Sequence, residues 1–235
     1  MALRHALLAA AAVSASAASP AQTWTLDFGN TPADVPAACA TSSGAPRTCG
    51  NYAPLLATYG DVAGIVDVTT RAAHGGPLQW FSSGYNELYG VAFDNLPSHN
   101  GPLSIDLVPL NGGVLTLSHF ELGGYFHNER RDVELQIFAI GNATPLFSRV
   151  GSIGSSGSAS DSGQHSDFDL GLSSASGLRI QWNDPANTSN TGIDNIVFSV
   201  TPTAPVPEPS SAALLLAGLL PLGAWLARRR AAYRG

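Results

Sequence analysis

The sequence contains no lysine, and its charge is correspondingly one-sided. All eleven basic residues are arginines, and five of them lie near the two ends of the chain. Residues 22–205 hold six arginines against sixteen acidic residues, a net charge near −10. Because phosphate binding needs the opposite sign of charge, this composition argues against a nucleic-acid partner. It is typical of a secreted domain or of one that collects divalent cations.

The familiar motifs of hydrolases are also missing. The histidines show neither HExxH nor H-x-H spacing, and the chain has neither a G-x-S-x-G elbow nor a phosphate-binding glycine loop. Glu87 paired with Asp94 or Asp106 would have the chemistry of a glycosidase, but sixteen scattered acids supply such pairs by chance. We therefore expect a protein that is not an enzyme, with an extracellular polysaccharide hydrolase as an alternative.

Cysteine is scarce, with only Cys39 and Cys49 in the chain. No histidine or third cysteine accompanies them at metal-ligand spacing, which leaves little support for a metal site or a redox pair. In an exported protein the expected state is a disulfide, which would close a loop of about eleven residues and stabilise the fold by about 2 to 3 kcal/mol.

Residues 1–21 have the order of a secretory signal peptide. Arg4 supplies a positive charge, residues 6–13 form a short apolar run, and Ala15-Ser16-Ala17 provides small residues for cleavage. We therefore expect the chain to be exported.

The C-terminal end carries a second targeting pattern. Residues 202–209 form a proline-rich linker that ends in Val206-Pro207-Glu208-Pro209, and residues 210–227 are largely apolar. As a single transmembrane helix this stretch would span about 27 Å, close to the roughly 30 Å of a bilayer core. The arginine-rich tail, residues 228–235, would stay in the cytoplasm because its clustered charges, Arg228, Arg229 and Arg230, resist translocation.

Taken in order, this motif, helix and arginine cluster resemble the PEP-CTERM sorting signal. In that family the signal is recognised by an exosortase, a membrane-embedded cysteine transpeptidase or protease. The resemblance implies a Gram-negative, biofilm-forming host and an inner-membrane-anchored precursor that is processed near the motif. It also implies a mature protein on the outer surface or in the extracellular matrix, associated with exopolysaccharide. The alternative is a plain C-terminal anchor behind a proline linker.

Between these ends, residues 22–201 are predicted to form an all-β domain. Several segments alternate apolar and polar residues with the period of half-buried strands. The four clearest are centred on Ile105, Leu135, Ile180 and Phe198. Nine or ten short strands separated by turn residues predict an antiparallel β-sandwich, jelly-roll-like in topology. We also expect a hairpin at Asn111-Gly112 and a serine- and glycine-rich loop over residues 151–163.

Three segments of this domain are loosely similar to jelly-roll modules that bind galactose or other carbohydrates: residues 59–61, 85–91 and 192–196. Similar modules often hold a structural Ca²⁺ between the first and last strands. Asp194 is predicted at the mouth of the core, where an unpaired carboxylate needs a partner, and Asp27 would supply a second oxygen ligand. The alternative is that Asp194 caps backbone amides.

Aromatic residues provide the candidate glycan contacts. Trp80, Phe81, Tyr85 and Tyr89 lie within ten residues, among serine, glycine and asparagine. Flat rings beside hydroxyl and amide groups are what a sugar-binding surface requires, although the same residues would also suit the core of a sandwich. We predict glycan contacts from Trp80, Tyr85 and Tyr89, with Trp182 as a further candidate.

The sequence as a whole predicts an exported surface or matrix protein with a structural, adhesive or glycan-associated module. A calcium-dependent lectin and a polysaccharide hydrolase are the alternatives. The expected partners are an exosortase-type enzyme, exopolysaccharide, and the membrane before processing.

Overall fold

The computed structural model describes residues 20–29, 36, 38–41, 43–95, 101–157, 163–186 and 190–202. Most of the predicted signal peptide lies outside these residues, as do the sorting motif at 206–209, the predicted membrane helix and the arginine cluster at 228–230. Within the described part of the chain, no helix is long and apolar enough to cross a membrane.

The described residues form β-strands joined by turns and loops. In chain order the strands are β1 (Gln22–Leu26), β2 (Cys39–Ala40), β3 (Pro46–Arg47), β4 (Ala53–Pro54), β5 (Val66–Arg71), β6 (Gln79–Phe81), β7 (Val91–Phe93), β8 (Leu103–Pro109), β9 (Val114–Gly124), β10 (Arg130–Ala139), β11 (Pro145–Ile153), β12 (Ser166–Ser174), β13 (Leu178–Asn183) and β14 (Thr191–Thr201).

Two antiparallel sheets contain most of these strands. The first sheet has the order β12-β9-β14-β7-β6-β4, and β1 also pairs with β14. The second has the order β11-β10-β13-β8-β5, while β2 and β3 form a small separate ribbon. The apolar faces of the two sheets enclose a shared core, so the predicted β-sandwich is confirmed.

The predicted apolar faces of the strands are confirmed as core. Ile105 on β8, Leu135 on β10, Ile180 on β13 and Phe198 on β14 are all buried, and burying a side chain of this size stabilises a fold by about 1.5 to 3 kcal/mol. The alternation puts every second residue of β10 and β13 inside, as the sequence period requires.

Two local predictions were wrong. Asn111 and Gly112 have the positive φ angles expected of a tight turn, 56° and 76°, but the strands on either side of them belong to different sheets and do not pair. Turn chemistry fixes a local reversal of the chain, whereas the partner of each strand is decided by burial. The serine- and glycine-rich loop also begins later than predicted, because Gly151 lies within β11 opposite Val133 of β10.

The last strand, β14, lies inside the first sheet. It pairs with β9 over most of its length, where Thr191 lies opposite Gly124, and with β1, where Gln22 lies opposite Val200. The β9–β14 register shifts twice, which makes Ser118 an extra residue in β9 and interrupts β14 at Asn195. Asn195 has a φ of 51°, as a bulged residue often does.

The predicted disulfide is confirmed. Cys39 and Cys49 are joined, with their Cα atoms 4.9 Å apart, and both cysteines are buried. The bond links β2 to the segment that follows β3, and so fixes the small ribbon to the chain that enters β4.

Candidate functional site

An open cleft lined with aromatic rings lies beside the first sheet. Its lining residues are Tyr52, Phe81, Tyr85, Phe93, Asn95 and Tyr125, and its volume is about 40 Å³. Phe126 extends this lining onto the surface, because its ring lies 4.2 Å from that of Tyr125. We call these seven residues the aromatic cleft.

The rings of the aromatic cleft pack edge to face around Phe81. The ring centroid of Phe81 lies 5.1 Å from that of Tyr52, 5.4 Å from that of Phe93 and 5.7 Å from that of Tyr125, each in a T-shaped contact. Such contacts stabilise aromatic clusters by about 0.5 to 1.5 kcal/mol each. Phe81, Tyr85 and Phe93 are buried and form the floor, whereas Tyr52 and Phe126 remain 47% and 68% exposed.

Both exposed rings are held by unusual backbone conformations. Tyr52 has a φ of 68° and Phe126 a φ of 57°, in the left-handed region that bulky residues rarely adopt. His127, next to Phe126, also has a positive φ, 54°. Strain of this kind persists where the surrounding structure imposes it, and it clusters at functional sites. The chain therefore displays two large apolar rings at positions where glycine would fit with less strain.

A buried asparagine fixes the loop that carries Phe126. The backbone N–H of Gly124 donates to Oδ1 of Asn86, and Nδ2 of Asn86 donates to the carbonyl of Ser155 at 2.8 Å. Nδ1 of His127 lies 2.8 Å from the carbonyl of Asn86. Gly124 at the end of β9, His127 and the loop at Ser155 thus all bond to Asn86, which fixes the chain on both sides of the exposed Phe126.

The predicted glycan contacts fall mostly in the interior. Trp80 is 2% exposed and donates from Nε1 to the carbonyl of Phe28 at 2.6 Å, and Tyr85 is 1% exposed. Neither offers a free face for stacking on a sugar, so this part of the prediction is wrong. Tyr89 is half-buried, and Trp182 is buried. The sequence signal was local clustering of aromatic residues, and it could not distinguish the floor of the cleft from its rim.

The acidic pair predicted to hold calcium lies at the end of β1. Asp194 is buried within β14, and its Oδ1 accepts a hydrogen bond from the backbone N–H of Phe28 at 2.9 Å. Asp27 is half-buried, and its Oδ1 accepts from the N–H of Gly29 at 2.6 Å. Both carboxylates therefore accept from backbone amides, as the capping alternative predicted, although Asp194 lies in a strand rather than in a turn.

Burial changes the acidity of Asp194. Desolvation raises the pKa of this carboxyl to about 8, helped by the nearby charges of Asp27 and Glu121 and opposed by hydrogen bonds from the backbone N–H groups of Phe28 and Asn195. A carboxyl in this state is largely protonated at neutral pH. It would need a cation beside it in order to ionise there.

The carboxylates considered for a glycosidase have separate partners. Glu87 faces His165, and Asp94 lies 3.4 Å from His74. Asp106 accepts two hydrogen bonds from Arg179, at 2.6 and 2.7 Å. Each of the three carboxylates therefore has its own histidine or arginine partner.

A second group of polar side chains lies where β9 and β12 pair. It consists of His119 and Glu121 on β9, Asp167 and Asp169 on β12, and His165 and Glu87 in the adjoining segments. We call these six residues the histidine–carboxylate cluster. Among the described residues, the one group of three or more His, Cys, Asp and Glu side chains close enough to share an ion lies here: His119, Glu121 and Asp167.

The sequence contained a signal for this cluster that motif searching missed. His119-x-Glu121 and His165-x-Asp167-x-Asp169 each place side chains on one face of a strand, because the strand period is two residues. The pairing of β9 with β12 then sets Asp167 opposite Glu121 and Asp169 opposite His119. That register could not be read from either segment alone.

Models of known protein families do not match this chain, and no curated protein is significantly similar to it. Its function therefore has to be inferred from its own residues and their geometry.

Proposed function

We propose that this chain is an exported surface or matrix protein whose β-sandwich is a non-catalytic module associated with extracellular glycans. The signal peptide over residues 1–21 supports export, and the ordered pattern over residues 206–230 supports anchoring and then processing by an exosortase-type enzyme. The mature protein would reside on the outer surface or in the matrix of a Gram-negative bacterium, with exopolysaccharide as its partner.

The strand order supports a jelly roll. In the first sheet the neighbours run β7-β14-β9-β12, and in the second they run β8-β13-β10-β11. This is the alternation between sheets that two Greek keys produce when eight consecutive strands wrap into a sandwich. Such a frame holds its connecting loops at the two ends of the sandwich, where the loops can bind a ligand without disturbing the core.

The aromatic cleft is the observation that carries the glycan proposal. Its exposed rings, Tyr52 and Phe126, offer flat apolar faces to the C–H face of a sugar. The amide of Asn95 and the hydroxyl groups of Tyr52 and Tyr125 provide polar groups for sugar hydroxyls. An open, shallow cleft of this kind suits a polymer segment that lies across the surface.

Binding to purified exopolysaccharide tests this proposal. We expect Tyr52→Ala and Phe126→Ala each to weaken co-sedimentation of the full-length chain with the polymer about two- to twelvefold, as loss of one stacking contact of about 0.5 to 1.5 kcal/mol predicts. Leu146→Ala and Val150→Ala are matched controls, because both remove exposed apolar side chains from β11 in the other sheet. Equal binding by all four variants would contradict a role for the cleft.

The mature C-terminus tests the sorting part of the proposal. Mass spectrometry of the protein from its native host should find a chain that ends near Pro209 or is linked there to another molecule. A mature form that keeps residues 228–235 would rule out processing at the motif.

A calcium-dependent lectin is the second candidate, because Asp27 and Asp194 lie close enough for the charge of one to raise the pKa of the other. Ca²⁺ would favour the ionised form of Asp194. If chelation abolishes glycan binding and Asp27→Asn reproduces that loss, the lectin is the better description. Binding that is indifferent to chelation leaves the simpler glycan-associated module.

A further inference from the structure

We propose that the histidine–carboxylate cluster binds a divalent transition-metal ion, with zinc as the best fit. The ligands would be Nε2 of His119, Nε2 of His165, a carboxylate oxygen of Glu121 and a carboxylate oxygen of Asp167. This site is separate from the aromatic cleft, and it does not depend on glycan binding. The ion would join β9 to the edge strand β12 and to the segment before that strand.

Three of the separations between the proposed ligand atoms are close to those around a tetrahedral ion, and one ligand atom from each of His119, Glu121 and Asp167 lies within 4.8 Å of the others. Tetrahedral zinc with bonds of about 2.1 Å places its ligand atoms about 3.4 Å apart. Nε2 of His119 lies 3.4 Å from Oε1 of Glu121, and Nε2 of His165 lies 3.6 Å from the same oxygen. Nε2 of His165 also lies 3.3 Å from Oδ1 of Asp167. These separations exceed the usual range of an N–H···O hydrogen bond, about 2.7 to 3.2 Å.

The other nitrogen of each imidazole faces a second carboxylate. Nδ1 of His119 lies 2.8 Å from Oδ1 of Asp169, and Nδ1 of His165 lies 2.8 Å from Oε1 of Glu87. The second contact is short but poorly aligned for a hydrogen bond, since Nδ1 of His165 is buried without a well-formed one. Metal-binding histidines almost always give their distal N–H to such a group, which orients the ring and leaves the other nitrogen free for the ion.

Glu121 is positioned in a similar way. Its Oε2 accepts a hydrogen bond from Nδ2 of Asn195 at 2.7 Å, which leaves Oε1 facing both imidazoles. Asn195 lies at the irregular point of β14, and the extra residue Ser118 of β9 directly precedes His119. Bulges often redirect side chains next to functional sites, and here one lies opposite Phe120, between the two ligands, and the other directly precedes His119.

The charge of the cluster also favours a cation. Glu87, Glu121, Asp167 and Asp169 supply four carboxylates, and within the described part of the chain they form ion pairs with the two histidines alone. With neutral imidazoles the cluster would carry a charge near −4, and a divalent ion would halve it. Two nitrogen and two oxygen ligands suit zinc, whereas Ca²⁺ requires six to eight oxygens.

Titration of the full-length, untagged chain with zinc chloride tests the proposal. Calorimetry should show one equivalent of Zn²⁺ bound with a dissociation constant of about 10 µM or less, and thermal unfolding should shift upward as zinc is added, because the ion binds only the folded state. The Co²⁺ complex should show the intense visible bands of a four-coordinate site. No saturable binding, or equal binding of Ca²⁺, would overturn the proposal.

Substitutions at the proposed ligands test whether the histidine–carboxylate cluster binds the ion. His119→Ala and His165→Ala should abolish stoichiometric binding, and Asp169→Asn should weaken affinity about 10- to 100-fold by releasing an imidazole. If a histidine variant does not fold, Asp167→Asn tests the same site, because it changes an exposed side chain and should weaken zinc binding by removing a ligand. His74→Ala, which removes a histidine outside the cluster, should bind zinc as the unmodified chain does. Binding that survives in the double variant of His119 and His165 would contradict the assignment.

Discussion

At the scale of single residues, the left-handed backbone conformation at Phe126 favours glycine over residues that have a β-carbon. A β-carbon in the left-handed region costs about 1 to 2 kcal/mol, which glycine avoids. The ring of Phe126 is mostly exposed and contributes little burial in return. Stability therefore does not explain why phenylalanine occupies this position, whereas the proposed contact with a glycan would explain it.

This reasoning predicts that Phe126→Gly is more stable than Phe126→Ala by about 1 kcal/mol, because alanine keeps the strain and loses the ring. Urea unfolding of both variants measures the difference. Val150 in β11 is the matched control, since it is exposed in an ordinary strand, and there alanine should be the more stable substitution. The reverse order at Phe126 would mean that its loop has no strain to release.

Asp194 gives the domain a dependence on pH. Its pKa is raised from the usual 3.8 to about 8 by burial first and by neighbouring acids second, so between about pH 4 and pH 8 the folded state holds a proton that the unfolded state has lost. The free energy of unfolding should then fall as pH rises through this window. Asp194→Asn, which keeps an oxygen for the N–H of Phe28, should flatten the dependence and stabilise the domain at pH 8.

Chemical denaturation of the two proteins from pH 4 to pH 9 checks this outcome, without added metal. Asp67→Asn is the control, because its carboxyl is exposed on β5, outside the histidine–carboxylate cluster, and its loss should not change the slope in the same way. Parallel curves for the unmodified chain and Asp194→Asn would show that the buried carboxyl is ionised in the folded state.

At the scale of elements, periodicity predicted the central strands well. The alternation of apolar and polar residues reflects which side chains face the core. The residues predicted in this way are buried: Ile105, Leu135, Ile180 and Phe198. The edge strand β11 was missed, because its Leu146 and Val150 are exposed and give no sign of a buried face. Its Gly151 and Ser152 are residue types that are common in loops. The turn at Asn111 was recognised but its strands were paired wrongly, because a turn contains no information on which sheet each strand joins.

The small ribbon formed by β2 and β3 depends on its disulfide. Closing a loop of about eleven residues stabilises the folded state by about 2 to 3 kcal/mol, so changing both Cys39 and Cys49 to alanine should lower the free energy of unfolding by that amount. Denaturation with and without a reducing agent measures the effect. The double variant is also the control, because reductant should leave its curve unchanged.

At the scale of the whole molecule, the sandwich could be predicted from the sequence and its candidate functional surfaces could not. Composition and strand spacing indicated an all-β domain with a disulfide, and both are present. The aromatic cleft and the histidine–carboxylate cluster each combine residues from distant segments, such as Tyr52 with Tyr125 and His119 with His165. Only the strand register and the loop contacts bring them together.

The pairing of β1 with β14 also determines how the domain is presented. Gln22 lies opposite Val200, so both ends of the domain emerge at one pole of the sandwich. The other end of β14 begins at Thr191 beside Gly124, and the N–H of Tyr125 donates to the carbonyl of Asn190 there. An eleven-residue strand spans about 30 Å or slightly more. Tyr125 of the aromatic cleft therefore lies at the end of β14 opposite to Gln22 and Val200, so a ligand bound there would lie far from both termini of the domain.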